Sequence, residues 1–198
     1  MFSPSINQLI ESLKKLPSVG QHTAERYVFH WLRSGKGEVN ELKDALDNLL
    51  KNTKSCSVCW NFSDTNPCPI CANDKRDHNQ ICVVAEVPDI AALEKTSAYS
   101  GVYHVLRGSI DGGDLDHVAD LKIQQLLKRV EQNKDLQEVV LALSPDMNGE
   151  TTMLYLKKEI LNINSKIKIT RLARGLPMGS DLQYADEITL GSAIKNRV

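Results

Sequence analysis

Apolar residues in the first quarter of the chain recur at three- and four-residue steps. Ile6, Leu9, Ile10, Leu13 and Leu16 form one stripe, and Ala24, Val28, Trp31 and Leu32 a second. Leu42, Ala45, Leu46, Leu49 and Leu50 form a third. This period predicts three amphipathic helices within residues 1–55. Pro17-Ser18-Val19-Gly20 separates the first two, Gly35 and Gly37 break the second from the third, and Asn40 is the expected N-cap of the third. Residues 56–80 lose the helical period and turn to Cys, Asn, Asp and Pro.

From residue 81 the pattern alternates. Apolar runs at 81–85, 102–106 and 138–143, and an alternating run at 166–172, predict four strands. Helical stretches at 90–95, 118–131 and 149–160 lie between them. Strands joined by helices of this length imply a parallel sheet flanked by helices, with functional loops at the carboxyl ends of the strands. The fold class is therefore α/β overall. It divides into a helical region at 1–55, a cysteine-rich module at 56–80, an α/β domain at 81–172, and a segment at 173–198 expected to pack on that domain.

Composition narrows the function classes. The 198 residues carry 24 Lys and Arg against 25 Asp and Glu, a formal charge of −1, so the chain is no polycation. Any nucleic acid must meet a local patch; residues 1–55 hold eight Lys/Arg against six Asp/Glu, a local +2. No run approaches the ~20 apolar residues of a membrane span. Met1-Phe2-Ser3-Pro4 has no basic segment leading into an apolar one, and the expected location is the cytoplasm.

Four of the five cysteines fall at Cys56-x2-Cys59-x8-Cys68-x2-Cys71. Each Cys-x2-Cys turn places two thiolates on one metal, and two turns complete the tetrahedron that Zn²⁺ prefers. The rival is a pair of disulfides, which a reducing compartment disfavours. Four thiolates leave no open coordination position, so such a zinc is structural. Trp60 and Phe62 are expected to give the module a small core, and Cys82, inside an apolar strand, to be a core residue.

Leu16-Pro17-Ser18-Val19-Gly20 between two helices has the form of a helix-hairpin-helix. Such a turn offers backbone N–H groups and a helix N-terminus to a phosphate. Lys14, Lys15, Gly20, His22 and Arg26 are the candidate DNA-binding residues, with Arg33 beyond them. An ordinary helical hairpin with solvated charges is the plain alternative. Tyr27, Phe29, Trp31, His30 and His104 are read as packing residues. After the third strand, Asp146 and Glu150 could hold a divalent metal or cap the following helix.

Helix-hairpin-helix, four-cysteine module and α/β domain, in that order, resemble the RecR family of bacterial recombination mediators. The resemblance is carried by Leu16-Pro17-x-Val19-Gly20, the tetrad, Ile81-Cys82-Val83-Val84 and Tyr103-His104-Val105-Leu106. A further stretch is Arg174-Gly175-Leu176-Pro177-Met178-Gly179-x-Asp181-Leu182-x-Tyr184-x-Asp186. It implies a Toprim-like domain and a non-enzymatic protein that binds single-stranded and duplex DNA. It also implies RecO-type and RecF-type partners, a role in loading RecA, and assembly into a homodimer or clamp-like ring tetramer. By the same resemblance Asp146 and Glu150 belong to a partner-binding region.

The chain departs from the family's pattern at Ser18, where glycine is usual, at Gln21, where proline is usual, and at His22, where lysine is usual. Those changes imply weaker DNA binding of its own and more dependence on partners. The alternative is a Mg²⁺-dependent Toprim nuclease or topoisomerase-like enzyme. Toprim enzymes carry a glutamate at the first strand end and an Asp-x-Asp pair after the third strand; here those positions read Ala85 and Ser144-Pro145-Asp146.

Overall fold

The computed structural model describes residues 2–112, 116–176 and 178–197. The chain separates into two compact units, Met1–Thr53 and Lys54–Val198.

In the first unit, α1 spans Pro4–Leu13, with Pro4 at its start and the Ser3 hydroxyl accepting from the Ile6 N–H. Helix α2 spans Gln21–Ser34 and α3 Lys36–Asn52. The core between α1 and α2 is small: Ile10, Ala24 and Val28 are buried, with Ile6, Leu13 and Val19 against them. Helix α3 starts at Lys36, so Asn40 lies inside it and is not its cap. Gly35, at φ 92°, makes the whole break by itself, and Gly37 is tolerated in the first turn. His30 is exposed, not packed, and meets Glu38 across that break at 2.9 Å. Tyr27 is likewise exposed, whereas Phe29 stacks edge-on with Phe2.

Ser18 in the hairpin turn has φ 62°. An L-residue in this region costs about 1–2 kcal/mol, and glycine returns part of the gain through its unfolded-state entropy. Ser18→Gly is therefore expected to stabilise the unit by about 0.5–1 kcal/mol. Urea denaturation checks this; an unchanged or lower midpoint would show that the serine conformation carries no strain.

The second unit opens with a short antiparallel ribbon, β1 (Lys54–Ser55) and β2 (Phe62–Ser63). The parallel sheet contains β3 (Asp77–Val84), β4 (Gly101–Val105), β5 (Glu138–Ala142) and β6 (Lys168–Arg171) in the order β4-β3-β5-β6. Helix α4 (Val87–Lys95) follows β3, α5 (Ile123–Gln132) and α6 (Met147–Ile163) flank β5, and α7 (Glu187–Lys195) comes last. Alternation along β3 separates two cores. Ile81 and Val83 join Leu126 and Val130 of α5 and Leu156 and Ile160 of α6, while Cys82 and Val84 face Ile90 of α4, with Tyr103 and Val105. Burial pushes the Cys82 thiol up to about 12, in keeping with a core residue.

Strand β3 begins four residues before the apolar run. Its polar start is held by the backbone: Asp77 N–H donates to Ser100 O, and Asn79 O accepts from Gln137 N–H. Helix α5 begins later than its periodicity implies, after a 3-10 turn at Asp116–Ala119. Lys122 is pinned in a non-helical conformation, its N–H on Leu106 O and its carbonyl against the ring of the buried His104 at 2.9 Å. Burial lowers the His104 pKa to about 4, so the ring is neutral near pH 7. Helix α7 buries no residue, and Ile188 and Ile194 are exposed.

Candidate functional site

The two Cys-x2-Cys turns converge. The sulfurs of Cys56, Cys59, Cys68 and Cys71 all lie within 4.8 Å of one another, and Cys56, Cys59 and Cys68 are buried. Cys59 and Cys68 sulfurs are 3.5 Å apart, far beyond the ~2.05 Å of a disulfide. The cysteines are free thiols, which removes the disulfide alternative. Tetrahedral thiolates ~2.3 Å from one ion sit at this spacing. The Cys68 N–H also donates to the Cys56 sulfur at 3.3 Å.

Without a cation the four sulfurs cannot ionise together. A hydrogen bond from Cys71 pulls the Cys59 thiol down, the same bond drives Cys71 up, and burial raises Cys68. A donor set so frustrated as thiols is suited to a soft, four-coordinate cation. The surrounding core is minimal, consisting of the cysteines with Val58 and Ile70.

Trp60 and Phe62 do not form a core for this module. Trp60 packs on the sheet with Tyr103 and Val105, and Phe62 is exposed beneath the guanidinium of Arg107 at 3.8 Å. The module instead docks on the outer edge of β4. Val105 N–H donates to Cys59 O at 2.8 Å. Arg107, at φ 67°, donates to Trp60 O at 3.0 and 2.8 Å and to Ser55 Oγ at 3.1 Å. Lys122 lies 4.9 Å from the Trp60 ring centroid. No sequence signal singles out Arg107 or Lys122, because nothing in a lone basic residue after a strand marks what it reaches.

In the hairpin, Gly20 is the N-cap of α2 and contributes no side chain to the orphan N–H groups of the first turn. That turn carries no acidic residue. His22 is fully open, 3.7 Å from Glu25, and Lys15 and Arg26 are exposed. Positions 22 and 26 share one helical face. Lys14 is drawn to Glu11 at 2.8 Å, which diverts part of its charge. This leaves Gly20, His22 and Arg26 at one helix end, with Lys15 in the turn before it.

The acidic positions are otherwise engaged. The Asp146 carboxylate caps α6, accepting from Gly149 N–H at 2.7 Å. Glu150 pairs with both Arg171 (3.6 Å) and Arg174. Glu86 forms a capping box with Asp89 at the start of α4. Among the described residues, the cysteine tetrad is the one group of potential metal ligands whose atoms converge. Beside the Glu150 cluster, Arg174, Gly175, Asp186 and Ile188 line a cleft of about 480 Å³. Of the loop residues Gly175, Pro177 and Gly179, Pro177 lies outside the described residues.

Comparison with known proteins covers the chain end to end. Family models match in succession: the RecR helix-hairpin-helix at residues 6–50, the RecR four-cysteine zinc finger domain at 53–73, the Toprim domain at 79–173, and the RecR C-terminal segment at 175–198. A protein named Recombination protein RecR from Moorella thermoacetica is 44% identical over 100% of this chain and 98% of its own length. Proteins of the same name from an Anaeromyxobacter species and Gloeothece citriformis are 42% and 45% identical. They cover 97% and 100% of this chain, and 96% and 97% of their own lengths. The zinc-finger match and the converging sulfurs together make zinc the structural cofactor.

Proposed function

This chain belongs to the RecR family, and on that footing we propose that it is a DNA-binding mediator of recombinational repair, without enzymatic turnover. In this reading it works with RecO-type and RecF-type partners to load RecA onto single-stranded DNA. The observation that carries the proposal is the uncapped start of α2, where open N–H groups meet exposed His22 and Arg26. A phosphate fits there by charge and by helix dipole, with no base contact and hence no sequence preference. Residues 1–55 then form the DNA-binding region, 56–80 the zinc module, 81–172 the Toprim-like domain, and 173–198 a C-terminal segment.

Cys56, Cys59, Cys68 and Cys71 hold the zinc. The absence of turnover is supported by Ala85 and Ser144, which lack the carboxylates of a Toprim metal site, and by the engagement of Asp146 and Glu150. Those two residues mark a partner surface. Self-association into a dimer or ring is supported by α3, which buries nothing while Leu46, Leu49 and Leu50 stand exposed. Among the described residues no helix is long and apolar enough to cross a membrane. The location that goes with this role is the cytoplasm, where bacterial DNA lies.

Fluorescence anisotropy on labelled single-stranded and duplex DNA, with and without a RecO-type protein, tests the reading. Arg26→Ala is expected to weaken binding roughly uniformly across sequences and to lower the log–log salt slope on duplex by about 0.9. His22→Lys is expected to act in the opposite direction. Binding that ignores both changes would remove DNA from the hairpin; no retention at low salt would leave a scaffold that binds only protein.

A further inference from the structure

Zinc and four thiolates together carry a net negative charge of two, and a buried charge of that size needs a counter-charge or solvent. The module supplies little: among residues 54–73 the basic side chains reduce to Lys54, which is exposed. The second unit supplies more. Arg129 leaves α5 and donates Nη1–H to Tyr103 O at 2.7 Å. Tyr103 O and Val105 N–H are successive hydrogen-bonding positions on the outer edge of β4, and the second of them holds Cys59 O at 2.8 Å. The guanidinium and the Cys59 backbone are thus neighbours along one strand edge.

No carboxylate among the described residues forms an ion pair with Arg129. Burial is the largest influence on Arg129 and disfavours its charge, and the anionic forms of Cys71, Cys59 and Cys56 oppose it. A part-buried cation with no acidic partner thus lies one strand-edge position from the backbone that carries Cys59. Arg107 and Lys122 also reach the module, but they are spent on the Trp60 carbonyl and on aromatic faces.

We propose that Arg129 is the outer-sphere counter-cation of the zinc tetrathiolate, holding the metal in place by charge from a position that the Tyr103 carbonyl fixes on the sheet edge. The inference rests on the reading that Cys56, Cys59, Cys68 and Cys71 hold the zinc. It makes zinc retention depend on a side chain 58 residues beyond the last ligand, Cys71. Outer-sphere partners of this kind commonly change metal affinity by about 10–100-fold.

The test compares the full chain with Arg129→Gln, which keeps a donor for Tyr103 O and loses the charge, and Arg129→Lys, which keeps the charge. Zinc content is measured first. Wild type without one zinc per chain would defeat the ligand reading itself, separately from the role of Arg129. Zinc transfer to the chromogenic chelator pyridylazoresorcinol is then followed, and the thiolate-to-metal charge-transfer band is recorded in Co²⁺-substituted protein. R129Q is expected to release zinc about tenfold faster or more, with the band moved to lower energy, and R129K to stay within about threefold of wild type with the band in place. Equal release and equal spectra in wild type and R129Q would overturn the proposal, leaving Arg129 a strand-edge clamp. Should R129Q fail to fold, R129K decides: release more than about tenfold faster with the charge retained overturns it, and release near the wild-type rate upholds it.

Discussion

Chelating the zinc, or replacing Cys59 by serine, is expected to unfold residues 54–73 and to destabilise the parallel sheet with them. The module's own core is the cysteines with Val58 and Ile70, too small to hold a chain segment once the metal is gone. Structural zinc in such sites contributes roughly 10–16 kcal/mol, as large as the stability of a whole domain. The loss spreads because the module closes an edge: Val105 N–H loses Cys59 O, and Arg107 loses Trp60 O. Amide hydrogen exchange should therefore rise on β4 as well as on the module. Helices α1 and α2, whose core is Ile10, Ala24 and Val28, and α3 beside them in the chain should keep their helical circular dichroism. Exchange on β4 that is unaltered after complete zinc removal would show that the sheet does not depend on its docked edge.

Gly149→Ala is the second change with a large expected effect. A Cβ there would lie 2.0 Å from Ser144 O and 3.0 Å from the Ser144 carbonyl carbon, both backbone atoms. The chain between β5 and α6 must open to admit it, and the Asp146 cap on Gly149 N–H opens as well. Overpacking of this kind costs about 1–3 kcal/mol and the cap about 1 kcal/mol more, so a loss of about 2–4 kcal/mol is expected in urea denaturation. Gly175→Ala, with nothing within 4 Å of its Cβ, is the control and should change stability by less than about 0.5 kcal/mol. A G149A midpoint equal to the control's would mean that the turn yields freely. The same substitution should disturb Glu150, whose N–H bonds to Asp146 O, and with it any partner surface at this end of the sheet.

Much of this architecture is legible in one dimension. Helical stripes, the strand runs and the Cys-x2-Cys spacing are local patterns, and each is enough to place its element within a few residues. The departures have tertiary causes. Strand β3 extends back to Asp77 because neighbours on both sides bind its backbone, and backbone pairing leaves no apolar signature. Helix α5 starts late because the Lys122 N–H is taken by Leu106 O, just past β4, and not by a carbonyl one turn back. His30 reads as a packing residue by its periodic segment, yet it faces solvent and Glu38 across the α2–α3 break, which only the angle at Gly35 determines.

The order of modules, the cysteine cluster, the parallel α/β character and the family can all be read from the sequence. All of these depend on spacing between residues close along the chain. The tertiary structure alone decided how those parts serve one another. Trp60 belongs to the sheet and not to the zinc module, and Arg107 clasps a carbonyl 47 residues away. Glu150 is held by two arginines, one at the end of β6 and one just past it, and Arg129 reaches a carbonyl 26 residues away on the outer edge of β4. A side chain's type shows what it can bind, but its partner is whatever group the fold brings within hydrogen-bonding distance, and over such separations no periodicity connects the two.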